Sequence, residues 1–385
     1  MKKIFLTTIA LLSMVSASVF GMYGVDTDWI NFLTHGNQFR ARLDQLGFTL
    51  GNDTIKGTFG FDNNTGYGGA YGGLLVDNEP TGKHRSSWVP SISMGIGYTS
   101  SVIGIGVGYS VNIGDQIQKF NGKAESKTVN KSAHTPVLVL NAMDNAFRMA
   151  IPIQVYVNND KFEGGGYNNE MAVSVDSQFR YYTGLDALPQ VRLYLRYGLY
   201  QNESKATKDA EKVKTKYGES FGFDFRLYFG SMVEEVALQP LVKLAYNQAL
   251  GNYHQDTKVE AVKAMNGDYN SYQSGSYGGS VWDLQLMTGL GLTANSDIVS
   301  LYLEPQLGLA VTSRAPIVAT APGAPTPARV TTESYDLVYN VYAEIYITPL
   351  KNLEWYFEAQ LGSGANQNSL VFNGTTGITW YLPAL

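Results

Sequence analysis

Residues Val281 to Val311 read VWDLQLMTGLGLTANSDIVSLYLEPQLGLAV. Two runs flank a short Ala-Asn-Ser-Asp turn, and in each the large apolar residues fall on one alternating face: Trp282, Leu284, Leu286, Leu290 and Leu292, then Val299, Leu301, Leu303, Leu307 and Leu309. The positions between them hold Asp283, Gln285, Gly289, Gly291, Ser300, Tyr302, Glu304, Gln306 and Gly308. A period of two is the side-chain repeat of a strand. Each run is about a dozen residues, against about five or six for an average soluble strand and about 9–11 for a tilted strand crossing a bilayer. The stretch predicts a β-hairpin with one apolar face, long enough to span a membrane.

The pattern recurs almost to the end of the chain. Ile92–Tyr98, Ile103–Ile113, Pro136–Leu140, Phe147–Val157, Met171–Tyr181, Val191–Leu199, Phe221–Phe229, Val236–Tyr246, Tyr335–Ile347, Leu353–Leu361 and Leu370–Leu382 carry it. Short turns at Gly51–Asp53, Thr99–Ser101, Asn141–Asn145, Gly184–Pro189, Gly230–Glu235, Ala294–Asp297 and Thr348–Asn352 alternate with longer polar connections at Asp62–Pro90, Gly114–Thr135, Asn159–Asn169, Gln201–Lys216, Asn247–Ser280, Thr312–Glu333 and Gly362–Asn368. Short turns on one rim and long loops on the other are the signature of an outer-membrane barrel. The expected fold is an all-β transmembrane antiparallel β-barrel.

Fifteen strand candidates lie from Phe39 onward, whereas bacterial single-chain barrels generally have even numbers. A further strand near Thr27–His35 makes sixteen. The alternative is an N-terminal plug helix with fourteen strands, because Trp29, Phe32 or Leu33, Gly36, Phe39, Leu43 and Leu46 also recur at about 3.6 spacing behind Asp28 as an N-cap. Pro152, Pro240 and Pro305 fall inside strand runs, where a closed sheet has no free edge, and are read as bulges. Gln201–Lys216 reads as a solvated charge run, and Ala315–Ala328 as a Pro- and Ala-rich loop.

Composition agrees. The 385 residues are 44% hydrophobic and only 16% charged, with 41 Gly, 26 Tyr and no Cys. Mean hydropathy of −0.13 excludes a helical membrane protein. Lys2 and Lys3 precede an apolar segment from Ile4 to Val15, and Val19 and Gly21 supply small residues at −3 and −1 before Met22. This is the form of a secretory signal peptide over residues 1–21, cleaved between Gly21 and Met22, leaving one barrel domain over 22–385. Without cysteine there is no lipid attachment at that site, no disulfide framework and no thiol chemistry. Once the two leading lysines are removed, 26 basic residues face 33 acidic ones, about −7. An acidic exported protein is a poor nucleic-acid binder.

Little in the sequence points to catalysis. His35, His84, His134 and His254 are scattered, the last three in expected long loops, and none has zinc-ligand spacing. Gly104, Gly106 and Gly108 recur every second residue of a strand rather than opening a helix as a dinucleotide fingerprint does. No catalytic, cofactor or metal site is expected.

If apolar faces meet lipid, the alternate residues meet the lumen. Arg148, Arg180, Arg192, Arg196, Arg226 and Lys243 then point inward from the earlier strands, and Asp283, Glu304, Asp336, Glu344, Glu354 and Glu358 from the later ones. Facing walls of opposite sign would set up a transverse field that selects polar solutes. Asp176 and Asp224 interrupt the basic side, and neutralisation between neighbouring strands is the alternative reading.

Residues Met22 to Phe61, MYGVDTDWINFLTHGNQFRARLDQLGFTLGNDTIKGTFGF, resemble the variable surface proteins of Brachyspira, formerly Serpulina. The Met-Tyr-Gly start, the block DWINFLTHGNQFRARLDQLGF and the hairpin LGNDTIKGTFGF carry the resemblance over about forty residues. It implies an abundant, antigenic outer-membrane surface protein with related, varying copies, and no catalytic or binding residues. The chain ends Tyr-Leu-Pro-Ala-Leu, without the terminal aromatic usual for recognition by the barrel-assembly machinery. The expected function is surface display with porin-like diffusion of small polar solutes. The alternatives are a plugged barrel acting only as antigen or adhesin, and a transporter of hydrophobic compounds. Expected partners are outer-membrane lipid, the assembly machinery, polar solutes, and host surface molecules or antibodies; a homo-oligomer is compatible with the sequence.

Overall fold

The computed structural model describes residues 46–63, 90–113, 117–118, 127–128, 131–251, 256–264, 279, 281–314, 332–350, 353–363 and 370–380, a few positions within these excepted. Its strands are β1 (Leu46–Gly51), β2 (Ile55–Asn63), β3 (Pro90–Thr99), β4 (Ile103–Ile113), the two-residue β5 (Ile117–Gln118) and β6 (Lys127–Thr128), β7 (Lys131–Ala142), β8 (Phe147–Lys161), β9 (Tyr167–Leu185), β10 (Leu188–Lys205), β11 (Val213–Tyr228), the three-residue β12 (Ser231–Val233), β13 (Val236–Ala249), β14 (Trp282–Asn295), β15 (Val299–Arg314), β16 (Thr332–Leu350), β17 (Leu353–Ser363) and β18 (Leu370–Trp380). Setting the three short pieces aside, each main strand pairs antiparallel with the next, giving a fifteen-stranded meander. Among the described residues no pairing joins β1 to β18. The expected strand or helix over residues 27–46 lies outside the described residues except at Leu46, as do the signal segment with Gly21 and Met22, His35, His84, His254 and the loop Ala315–Ala328.

The sheet is apolar outside and polar inside. Ile96, Val107, Leu286, Leu307 and Leu337 are each more than half exposed, while Lys56, Asp224 and Glu304 are fully buried. This reverses a soluble protein and suits a wall between hydrocarbon and a polar lumen. In lipid every backbone polar group needs an internal partner, so the continuous antiparallel ladder is what allows the chain to cross.

Pairing is longer than the sequence pattern implies at one rim. β8 to β11 are 15, 19, 18 and 16 residues long. The expected connections Asn159–Asn169 and Gln201–Lys216 are therefore mostly strand, and only residues 206–212 separate β10 from β11. Polar side chains hold this extension together beyond the apolar band. Asn202 Nδ2 donates to Asn168 Oδ1 at 2.7 Å and Tyr167 Oη to Glu203 Oε1 at 2.8 Å, and Lys212 Nζ lies 2.8 Å from Glu203. Hydrogen bonds from Lys212 and Tyr167 hold the Glu203 carboxyl down to about 2.

Two further expectations change. Pro152, Pro240 and Pro305 are not bulges: they sit in regular register opposite Val137, Leu290 and Val341. Register shifts occur elsewhere, at Tyr200/Gln201, Leu188/Gln190 and Ile347/Leu350. Successive strand N–H groups point to alternate neighbours, so a proline removes one bond toward one neighbour only. On the β9 side of Pro152, bridging pauses between Ala150↔Gln178 and Ile153↔Val175; on the β14 side of Pro305 it pauses between Gln306↔Gly289 and Leu303↔Leu292. In both places the register is unchanged. His134 is also not in a loop but within β7, where its ring nitrogens meet Tyr109 Oη and Ser132 Oγ.

Leu303 lies midway along the outward row from Val299 to Leu309 on β15. Leu303→Arg is expected to destabilise the folded protein by ~2–4 kcal/mol, the cost of a cation near the bilayer midplane. Urea titration of the protein folded into vesicles measures this.

Candidate functional site

The register turns the scattered inward charges into rows. Arg148, Arg180, Arg192, Arg226 and Lys243 stand directly opposite one another on β8, β9, β10, β11 and β13. Five cations thus share one level of the wall, although like charges on facing positions repel. Tyrosines two residues along the neighbouring strand relieve this. Arg148 lies over the Tyr182 ring at 4.9 Å, Arg192 over Tyr228 at 4.4 Å and Arg226 over Tyr194 at 4.9 Å. Each such stacking contributes about 0.5–2 kcal/mol, more where water is excluded.

Neutralisation divides the row. Asp224 accepts from Arg226 Nε and Nη2 at 2.9 and 3.0 Å and lies 3.6 Å from Lys243 Nζ. Arg192 Nη2 donates to Gln190 Oε1 at 2.8 Å, and Arg180 reaches the Gln178 amide oxygen at 2.5 Å once that amide is oriented to accept. The basic wall is paired with carboxylate at its β11–β13 end and held by neutral amides and phenols toward β8.

The later strands carry the acidic counterpart. Glu304 is fully buried, Glu344 is 1% exposed, and Glu354 is buried. Tyr302 Oη and Gln306 Nε2 donate to Glu304, and Tyr342 Oη donates to Glu344. Glu358 stands opposite Glu344 in the β16–β17 register. Asp336 is apart from these, toward the long-connection rim, with Ser334 Oγ at 3.2 Å. The two walls meet: Tyr302 is among the electrostatic neighbours of Arg192, and Glu304 among those of Tyr228.

A second level is built from small residues. Ser174, Gly198 and Ser220 face one another on β9, β10 and β11, and Ala249 on β13 continues the row. Part of the β13–β14 connection docks there. Val259 N donates to Ser220 Oγ at 2.8 Å, Ala261 N to Ser174 Oγ at 2.9 Å, and Ala264 N to Glu260 O at 3.1 Å in a helical turn. Val259, Ala261 and Ala264 pack with Ala133, Tyr156, Ala172 and Tyr200 in one buried cluster. Glycine is required at the contact, since a Cβ on Gly198 would sit 1.9 Å from Val259 O.

Just below, Arg196 Nε lies 3.3 Å from Asp176 Oδ2, and its Nη1 donates to Asn247 Oδ1 at 3.1 Å. Asn247 Nδ2 donates to Asp283 Oδ2 at 2.8 Å, and Thr257 Oγ1 to Asp283 Oδ1 at 3.1 Å. The link from β10 to β13 passes over β11 at Gly222, where a Cβ would fall 2.4 Å from Asn247 Oδ1. Arg196 and Asp283, expected on opposing charge walls, instead belong to one network that fastens the inserted segment.

Asn247–Ser280, expected from the sequence to be a polar connection throughout, is thus partly docked on the wall. The row of small inward residues that receives it is visible only once register is known. The repeated Arg-x-Tyr at 180–182, 192–194 and 226–228 is a signal present in the sequence itself. Among the described residues no group of carboxylates and histidines forms a metal site. Gly198→Ala is expected to expel residues 256–264 from the row while the barrel still folds. Limited trypsin digestion should then cut at Lys258 in the variant and not in the wild-type protein.

No curated protein matches the chain. One similar solved structure is the FrpB iron transporter from Neisseria meningitidis in its F5-1 variant apoprotein form, with a TM-score of 0.42 and 11% identity, covering 72% of this chain and 44% of that one. This chain therefore spans under half the length of that transporter. The family model for the Serpulina hyodysenteriae variable surface protein matches residues 2–381, nearly the whole chain, and the protein belongs to that family.

Proposed function

We propose that this protein is a surface-display barrel of the outer membrane whose lumen is closed to general diffusion. The observation that carries this reading is the burial of lumen side chains from separated strands. Arg192, Tyr228, Tyr302 and Glu304, from β10, β11 and β15, are exposed by only 1%, 0%, 2% and 0%. Side chains lining a water-filled channel would retain more contact with solvent. The inserted segment at Ser174, Gly198 and Ser220 adds a second obstruction, roughly 30 Å from the short turns for eleven tilted strand residues.

The polar lining favours a second reading, diffusion of small polar solutes, and conductance separates the two. Reconstituted in planar bilayers, the protein is expected to give no stepwise porin-scale current; steady open channels would establish diffusion instead. Under the display reading the long connections face the exterior and offer their side chains to antibodies or host surface molecules. Trypsin added to intact cells is expected to cut at Lys208 or Lys212 between β10 and β11. Cleavage in the short turns of intact cells would reverse the orientation.

A further inference from the structure

The β8 end of the basic row is built differently from the rest. Arg148 and Arg180 face each other directly, Arg192 follows on β10, and Tyr182 lies under the Arg148 guanidinium. Arg148, Arg180 and Arg192 are all electrostatic neighbours of the Tyr182 hydroxyl. Facing residues of adjacent strands have Cα atoms about 4.5–5.5 Å apart, so three guanidinium groups concentrate positive charge within the span of one small ligand. Arg148 Nε and Nη1 are buried atoms that make no hydrogen bond among the described residues, and the Tyr182 hydroxyl lies beside Arg180. Asn141 stands opposite Arg148 on β7 and adds a neutral amide. The charges facing this cluster across the lumen, Glu304 with Tyr302, adjoin the Arg192 and Tyr228 side.

Access comes from the short-turn side. Arg148, Arg180 and Arg192 lie within five residues of their turns, about 13 Å along the axis of a tilted strand. The inserted segment is at the other end of the lumen. Arg148 and Tyr182 are only half-buried, whereas Arg192 is 1% exposed, so the open face of the cluster is the β8–β9 face.

We propose that Arg148, Arg180 and Tyr182, backed by Arg192, form an oxyanion-binding site reached from the short-turn mouth, taking inorganic phosphate or the phosphate group of a small solute. Guanidinium groups suit this chemistry because their planar donors engage phosphate oxygens in pairs. A tetrahedral oxyanion offers enough acceptors for the Arg148 donors and the Tyr182 hydroxyl together. The site does not depend on whether the barrel conducts.

The test is calorimetric titration of the purified, detergent-folded full-length protein with inorganic phosphate, against chloride at matched ionic strength. A parallel arm uses glucose 1-phosphate, and the tighter ligand identifies the source of the group. Saturable phosphate binding is expected, weakened about tenfold or more by Arg148→Gln and partly restored by Arg148→Lys. Heat-modifiable migration on gels checks that each variant is folded. Phosphate heats indistinguishable from chloride in folded protein, or Arg148→Gln binding within twofold of wild type, would overturn the site.

Discussion

The antiparallel ladder that runs from β1 to β18 is the constraint from which everything else in this molecule follows. Hydrocarbon offers no partner to a peptide group, so each strand must satisfy its N–H and C=O groups on its neighbours. Once it does, alternation alone decides which side chains meet lipid and which meet one another. Leucine outside and arginine inside are two results of one register. Even Pro152, Pro240 and Pro305 obey it, each able to give up a bond toward one neighbour while staying in register with the other.

Register also explains why polar residues at such density are tolerated. A guanidinium buried alone would be very costly. Here Arg226 and Lys243 share Asp224, while the arginines on β8 and β10 stack on tyrosines of adjacent strands. The two walls are neither fully segregated nor fully neutralised. Opposing sign survives between the Arg148–Arg192 arc and Glu304, Glu344 and Glu354, whereas Arg196 and Asp283 are absorbed into one local network.

Much of the fold is legible in the sequence because a period of two is a local property. The fifteen candidates from Phe39 onward correspond to fifteen main strands, and the seven short turns fall between them where the pattern implies, whereas the expected connections Asn159–Asn169 and Gln201–Lys216 are largely taken up by strand. Strand ends on the long-connection rim are not legible. There the pairing of Asn168 with Asn202 and of Tyr167 with Glu203 continues the ladder after hydrophobic alternation has stopped. The inward direction of Arg148 or Glu304 is likewise readable, but not which residues meet. The Ser174–Gly198–Ser220 row joins positions from three strands, and no single window of sequence contains it.

The manner in which residues 256–264 are held bears on how such a protein can change. The two wall serines accept from main-chain N–H groups of Val259 and Ala261, and Gly198 makes room for a main-chain carbonyl. Every residue except proline brings the same N–H, so these anchors do not read the side chains of the segment they hold. Substitution of side chains that make none of these contacts leaves the mooring intact. A barrel fastened in this way can alter the surface it presents without redesigning the scaffold beneath it.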